Sequence, residues 1–414
     1  MTRLEDSYKV AVIGAGPAGI VAAIFAAKSG ASVVLLEKND RVGRKILATG
    51  NGRCNITNQN ITIDRYHGKN VSFAAPIFAS FNQQEAMKYF ESIGIVLKEE
   101  DRGRMFPKSD QASSIVEALE SQLASTGVMV KTSFTVKNIE KNQKWHIVSE
   151  NGESFDAESL VLATGGKAAY QLGSSGDGLF WARNLGHEII PIHAALVPVI
   201  TEEATKDIMG IRLVSNASLF ADGKLITQRS GDILFTHFGI SGPAAMGLAR
   251  DADIMLSEGK RVEISLDITP EYEADQLDEM IASIANIDGK KNVKNVLSGL
   301  FSKNLVNYIL SKLNIDSETK AAELSKKQRR EIVGIFKDFR FTIKGVRPLK
   351  EAQVMAGGVN TDELTAHLES KIVPGLYFAG EIIDIDGDSG GFNLQWAWSS
   401  GKVAGTAAAG ALNE

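Results

Sequence analysis

The sequence predicts an α/β protein: a doubly wound parallel sheet, interrupted by an inserted β domain that carries a helical cap. Three observations predict it. Val10, Ala11, Val12 and Ile13 form an apolar run with no alternation, the pattern of a parallel strand covered on both faces. Residues 17–29 follow at helical spacing and close on Gly30, and further buried strands are expected at 32–37, 159–163 and 376–379. Between 190 and about 355 this rhythm stops. Strand-like segments at 194–200, 214–220, 232–235 and 261–267 give way to helical spacing at Leu277, Met280, Ile281, then Leu305, Ile309, Leu310, Leu313, then Ile332, Ile335 and Phe336. A chain of 414 residues exceeds the size at which one core keeps growing. The expected domains are 1–190 with 356–414 for the sheet, 191–275 with 340–355 for the β insertion, and 276–339 for the cap.

The turn after the first strand is Gly14, Ala15, Gly16, Pro17, Ala18, Gly19, a G-x-G-x-x-G. Its first glycine allows the tight turn, its second lets the backbone approach a pyrophosphate, and its third permits close helix–strand packing. The anion sits on the helix N-terminus. The second strand ends in Glu37, 21 positions after Gly16, where a carboxylate takes the two ribose hydroxyls of an adenosine. That argues against a 2′-phosphate. Alone the fingerprint is weak; with strand, helix, second strand and acid in register it predicts a dinucleotide site. Only one such fingerprint exists in the sequence.

Residues 38–58 are too polar and glycine-rich for a core element and read as a ligand-facing loop. Lys38 opens it; Arg41, Arg44, Lys45 and Arg53 bring positive charge toward a pyrophosphate, and Gly43, Gly50 and Gly52 let backbone amides face a ligand. Residues 85–93 and 113–123 read as packing helices, 99–107 as a charged, exposed hairpin, and 128–139 with 145–149 as an antiparallel meander. Asp177 is either a helix-start residue or a cofactor contact.

Residues 43–58, together with 103–107, 236–243, 351–361 and 373–401, resemble a bacterial family of FAD-binding flavoproteins, the NAD(P)/FAD-dependent oxidoreductase or aminoacetone oxidase family. The resemblance implies FAD as cofactor, with the adenine half on the N-terminal unit and the flavin half closed by the C-terminal segment. It implies that Ala163, Thr164 and Gly165 cover the pyrophosphate and that Val136 offers an amide to the adenine. Gly380 and Glu381 fall at the ribityl chain, with Asp386 following. Gly391, Asn393 and Leu394 open the last helix, which aims amides at the N1/O2 edge of the flavin. Met355 stands where the family usually has threonine.

No run approaches the ~20 apolar residues that span a bilayer. Glu5 and Asp6 stand where the apolar segment of a signal peptide would begin, so a cytoplasmic protein without a membrane partner is expected. The one cysteine, Cys54, excludes an intrachain disulfide and any multi-cysteine metal site, and no metal is expected. Cys54 is either a redox or acid residue, its thiol activated by Arg53, or a small side chain packed beneath the loop. His237, in the glycine-rich 236–243 segment, is the acid/base candidate among six histidines; the alternative is a structural histidine.

The net charge of −5 hides an asymmetry. Residues 290–350 carry fifteen Lys or Arg against five Asp or Glu, leaving −15 for the rest. Lys326, Lys327, Arg329 and Arg330, then Arg340, Lys344, Arg347 and Lys350, form either a solvated helical surface or a polyanion-binding one. Three functions follow. The first is an FAD-dependent oxidoreductase passing a hydride through flavin N5 to or from a small molecule. The second is flavin-dependent reduction or modification of a base in RNA, bound by the basic insertion. The third is a non-catalytic flavin-binding sensor. NAD(P)H is a possible reductant that docks transiently, since no second fingerprint exists.

Overall fold

The computed structural model describes residues 7–287 and 290–410; Glu5 and Asp6 lie outside them. The chain divides into two compact units, Met1–His193 with Gln353–Glu414, and Ala194–Ala352. No helix among the described residues is long and apolar enough to cross a membrane.

In the first unit, β1 (Ser7–Ile13) is followed by α1 (Pro17–Lys28) and β2 (Val33–Leu36). β1 lies between β2 and the strand Ser154–Leu162, parallel to both. Met129–Lys131 adds a parallel strand beyond β2, and Leu376–Phe378 adds one beside Ser154–Leu162. Val10, Ala11 and Val12 are fully buried, which is why the run shows no alternation. Ile13 is level with Leu36 and with Leu162, and Leu162 with Phe378. The loops that follow these strand ends therefore leave the sheet along one edge, the edge at which open parallel sheets bind ligands.

The stretch 128–139 is not one meander strand. Ser133 adopts a left-handed φ of 53° and breaks it. Met129–Lys131 turns back to the parallel sheet, and only Val136–Lys141 pairs antiparallel with Trp145–Ser149. The 97–107 hairpin is exposed only on its first strand. Met105, Phe106 and Pro107 of the second are buried, and Arg104–Pro107 pairs with Thr57–Asn58 in a three-stranded sheet.

α1 carries no polar stripe, because it is buried along most of its length. One of its neighbours is the last helix, Phe392–Ala408. A Cβ added to Gly401 would overlap the carbonyl oxygen of Ala18, and one at Gly405 that of Ala22. The two backbones thus touch once per turn over two turns.

His187 shows how a buried polar group is satisfied here. Its Nδ1 lies 2.9 Å from Glu363 Oε2 and its Nε2 2.8 Å from Ser370 Oγ. The order Glu, His, Ser is that of a hydrolase triad, but His187 and Ser370 are buried and Ser370 Oγ also accepts the N–H groups of Ile372 and Val373. The chain of bonds is structural.

In the second unit, among the described residues, six antiparallel strands close a barrel: Val199–Thr201, Gly239–Ser241, Lys224–Phe235, Arg212–Ala221, Val262–Asp267 and Phe339–Val346, which pairs back to the first. Leu196 has a φ of 52°, so 194–200 is not one strand. The helices Ala274–Ile287, Val293–Leu297, Lys303–Lys312 and Lys326–Lys337 precede the closing strand. Ser325 starts the last of these with a capping box to Gln328.

Gly405→Val is expected to lower stability by about 1–3 kcal/mol, because a backbone contact must open. A urea midpoint equal to wild type would show that the helices do not meet there. A second expectation concerns acid. Burial outweighs Glu363 and holds His187 below its ordinary value. A depressed histidine protonates first in the unfolded chain, so its contribution is present above about pH 6.5 and is lost as pH falls toward the folded value. Urea midpoints should drop through that range, and drop less in His187→Gln; parallel curves would contradict it.

Candidate functional site

The glycine turn is held from two sides. Gly14, at φ 100°, lies so near Ala163 that a Cβ would sit 2.6 Å from its carbonyl oxygen, which sets residues 163–165 against the turn. Glu37 is buried; its Oε2 accepts the Ala15 N–H at 2.7 Å, and its Oε1 accepts Asn39 N at 2.8 Å and Nδ2 at 2.6 Å. A carboxylate has about four acceptor positions, so Glu37 anchors the turn and keeps capacity for a hydroxyl. Gly16, the N-cap of α1, is different: a Cβ there meets no protein atom within 4 Å, and its φ of −79° is ordinary. The first turn of α1 contains no acid to offset the positive end of the helix dipole.

The signature loop is sewn to the last helix. Trp398 Nε1 donates to Ile56 O at 2.9 Å, Thr57 Oγ1 to Gln395 Oε1 at 2.6 Å, and Asn58 Nδ2 to Gly390 O at 2.8 Å. Gln395 Nε2 donates onward to Phe81 O and Ser399 Oγ, so the buried amide is satisfied. Gly391 caps the last helix, whose first turn also lacks an acid. Asn393 folds back, accepting the Gly387 N–H at 2.9 Å and donating to Gly387 O at 2.7 Å. Leu394 is half-buried in the same turn. Gly380 is wedged between the two helices: its N–H donates to Ser400 Oγ, its carbonyl accepts from Trp396 Nε1, and a Cβ would sit 2.7 Å from that of Ala18.

The predicted charges are mostly committed to carboxylates. Lys45 donates to Glu381 Oε2, whose Oε1 accepts Met355 N at 2.9 Å. Met355 Sδ in turn accepts Lys167 N at 3.3 Å. Lys38 pairs with Asp177 at 3.2 Å and donates to Ser175, which gives Asp177 a partner at its helix start. Arg44 donates to Asn39 Oδ1 at 2.8 Å. Arg53 turns to the hairpin, pairing with Glu100 and Asp110 and stacking 4.2 Å over Phe106. Lys98 and Arg53 hold both carboxyls below their usual range. Gly52 is exposed at φ 82°.

Cys54 is fully buried at a left-handed φ of 61°, and burial pushes its thiol up to about 12, so it is a neutral packed side chain. Val136 begins its strand two residues after Phe134, whose N–H donates to Glu37 O. His237 is exposed in the second unit, in the turn between Lys224–Phe235 and Gly239–Ser241, its ring edge-on to Phe238. Among the described residues no group of three or more His, Cys, Asp or Glu could hold a metal.

Sequence reasoning missed one constellation. Asp386 is buried and pairs through its backbone with His67. Asp388 Oδ1 lies 3.0 Å from His67 Nε2, Asp388 Oδ2 accepts Arg65 Nε at 2.7 Å, and Asp384 Oδ2 accepts Lys69 N at 2.8 Å. The signal was present as two alternations, Arg65, His67, Lys69 and Asp384, Asp386, Asp388. They buttress the turn that precedes the last helix.

The HI0933-like protein Rossmann domain matches residues 8–407, nearly the whole chain across both units. The chain belongs to the HI0933-like family. It is an FAD-dependent oxidoreductase. This HI0933-like protein is 36% identical over 405 residues, 97% of its length and 99% of the relative's, to the 3-dehydro-bile acid delta(4,6)-reductase of Clostridium scindens. It is 30% identical over 405 residues, 95% of its own chain and 96% of the other, to the ribosomal RNA dihydrouridine synthase of Escherichia coli. The solved 3-ketosteroid delta1-dehydrogenase of Sterolibacterium denitrificans shares its fold at TM-score 0.50 and 12% identity, covering 98% of this chain and 100% of that one. The residues of the HI0933-like site fit FAD: an open Gly16 at a helix N-terminus, Glu37 with spare acceptor capacity, and a second uncompensated helix N-terminus at Gly391.

Gly16→Val separates binding from folding, since a Cβ there meets no protein atom within 4 Å and the φ of Gly16 is ordinary. It is expected to leave the unfolding free energy of the apoprotein, from urea titration, within about 0.5 kcal/mol of wild type while abolishing flavin retention on purification. Retention of FAD by this variant would remove the glycine turn from the site.

Proposed function

We propose that this protein is an FAD-dependent reductase of a small apolar molecule carrying a carbon–carbon double bond conjugated to a carbonyl. The observation that supports this most is the likeness over 97% of the chain to a bile acid reductase, on a site fitted to one dinucleotide. FAD bound here supplies the hydride at N5. Glu37 and α1 hold the adenosine and pyrophosphate, and Val136 meets the adenine. Residues 163–165, Lys45 and Glu381 border the linker. The last helix, whose first turn holds no acid, would offer its positive end to the N1/O2 edge of a bound flavin. His237 is the proposed proton donor to the substrate carbon, on the strength of its exposure in a glycine-rich turn. NAD(P)H, as reductant, docks transiently.

RNA is the second reading, favoured by the likeness to ribosomal RNA dihydrouridine synthases. Dihydrouridine is uridine saturated at a double bond conjugated to a carbonyl, so the two readings share their chemistry and differ in substrate. The basic insertion supports RNA less than its sequence does. Arg329 pairs with Asp278, Lys337 with Asp267, Arg340 with Asp338 and Glu263, Arg347 with Glu351, and Lys294 with Glu318.

The test is anaerobic. Chemically reduced holoenzyme is mixed with a 3-oxo-Δ4 steroid acid or with unmodified ribosomal RNA, and flavin reoxidation is followed by absorbance. The steroid acid is expected to reoxidise the flavin at least about tenfold faster, a difference of one decade in transition-state stabilisation. Faster reoxidation by RNA, lost on neutralising Lys326, Lys327 and Arg330, would reverse the order.

A further inference from the structure

Within the signature loop, Asn55 is anomalous. It is 9% exposed, and its Oδ1 has no hydrogen-bond partner. Buried amide oxygens are rarely left so, because desolvation is then uncompensated. Its neighbours are satisfied on both sides. Cys54 N donates to Thr49 O, Ile56 N to Met105 O, Trp398 donates to Ile56 O, and the Thr57 and Asn58 side chains are tied to the last helix. The left-handed Cys54 and the three anchored residues after Asn55 hold the backbone on both sides of it.

The position is informative. Residues 56–58 are held against Gln395, Trp398 and the Gly390 carbonyl, so Asn55 sits one residue before the seam that joins the loop to the N-terminus of the last helix. A primary amide presents an acceptor beside a donor. Its complement is a planar ring edge with an N–H next to a carbonyl. The isoalloxazine ring has that edge in its pyrimidine half, where N3–H lies between two carbonyls, and the same half carries the N1/O2 edge that the last helix faces in the proposed function.

We infer that Asn55 recognises the pyrimidine edge of the flavin, its Oδ1 accepting from N3–H. This rests on the FAD reading of the site. Asn55 is then a cofactor-binding residue that discriminates the ring from any planar group lacking the N–H, and its unpaired state in the apoprotein is the cost of a preorganised acceptor.

The experiment compares FAD with N3-methyl-FAD on apoprotein, wild type and Asn55→Leu, by flavin fluorescence quenching, with thermal unfolding of each apoprotein alongside. Wild type is expected to bind N3-methyl-FAD about tenfold more weakly than FAD, the scale of one hydrogen bond. Asn55→Leu is expected to bind both alike, at the weaker level, while its apoprotein is as stable as wild type or more so, because an unpaired buried acceptor has gone. The N3-methyl comparison needs no variant, so a poorly folding Asn55→Leu does not remove the test. Equal wild-type affinity for the two flavins overturns the inference and leaves the FAD site standing. Failure of wild type to bind FAD overturns the site itself.

Discussion

The backbone of α1 meets the backbone of the last helix at Ala18 and Ala22, where Gly401 and Gly405 leave no side chain between them. Such a contact fixes more than packing. Each helix begins at the edge of the sheet with an N-terminal turn free of acids, and the spacing between these two positive ends is set by the crossing. Gly380, wedged against Ala18 and bonded to Ser400 and Trp396, adds the third strand-end loop to the same junction. A ligand with one anionic group in its middle and another developing at its far end suits this arrangement, and a mononucleotide would engage only half of it.

Side-chain cations contribute less than their number suggests. Lys38, Lys45 and Arg53 each answer a carboxylate of the protein, at Asp177, Glu381 and Glu100 with Asp110. These pairs position loops, and their partial exposure keeps their energetic weight small. In the proposed function anion recognition is left to helix N-termini, whose N–H groups are oriented by the backbone and lose no side-chain entropy on binding. Charge in the loop therefore shapes the site, and in the proposed function the peptide dipoles hold the ligand.

The parts of this design that were legible in sequence share a physical cause. β1, α1, β2 and Glu37 are contiguous, and full burial, glycine sterics and a carboxylate at a fixed offset leave marks within forty or so residues. The strand Met129–Lys131 was hidden because its outward residues alternate like those of the meander that follows, and only the left-handed Ser133 separates them. Barrel closure was hidden because half of Lys224–Phe235 is exposed, Leu225 and Ile226 included, so one long strand showed only its buried end at 232–235. The ladder of Arg65 and His67 with Asp388 joins segments distant in sequence, and the alternation within each segment does not say which segment it meets. Asn55 was in view throughout as one polar residue among several; Asn58 is also buried, and what distinguishes Asn55 is an Oδ1 without a partner, where Asn58 finds its acceptor in Gly390.

The basic insertion shows why a window count of charge is a poor proxy for a surface. Residues 290–350 contain ten more cations than anions, yet Asp267, Asp278 and Glu263, all outside the window, fold back onto Lys337, Arg329 and Arg340. Lys312 is taken over the rings of Phe339 and Phe341, and Arg340 over Phe220. Lys327 lies 3.9 Å from Glu331, and Lys326 and Lys327 stand on the first turn of a helix whose dipole already disfavours cations there. A short cationic turn of this kind attracts phosphate at long range but offers few contacts along a strand. Affinity for a polyanion scales with the number of phosphates neutralised. By that measure the insertion is better suited to steering or solubility than to carrying the main binding energy of an RNA substrate.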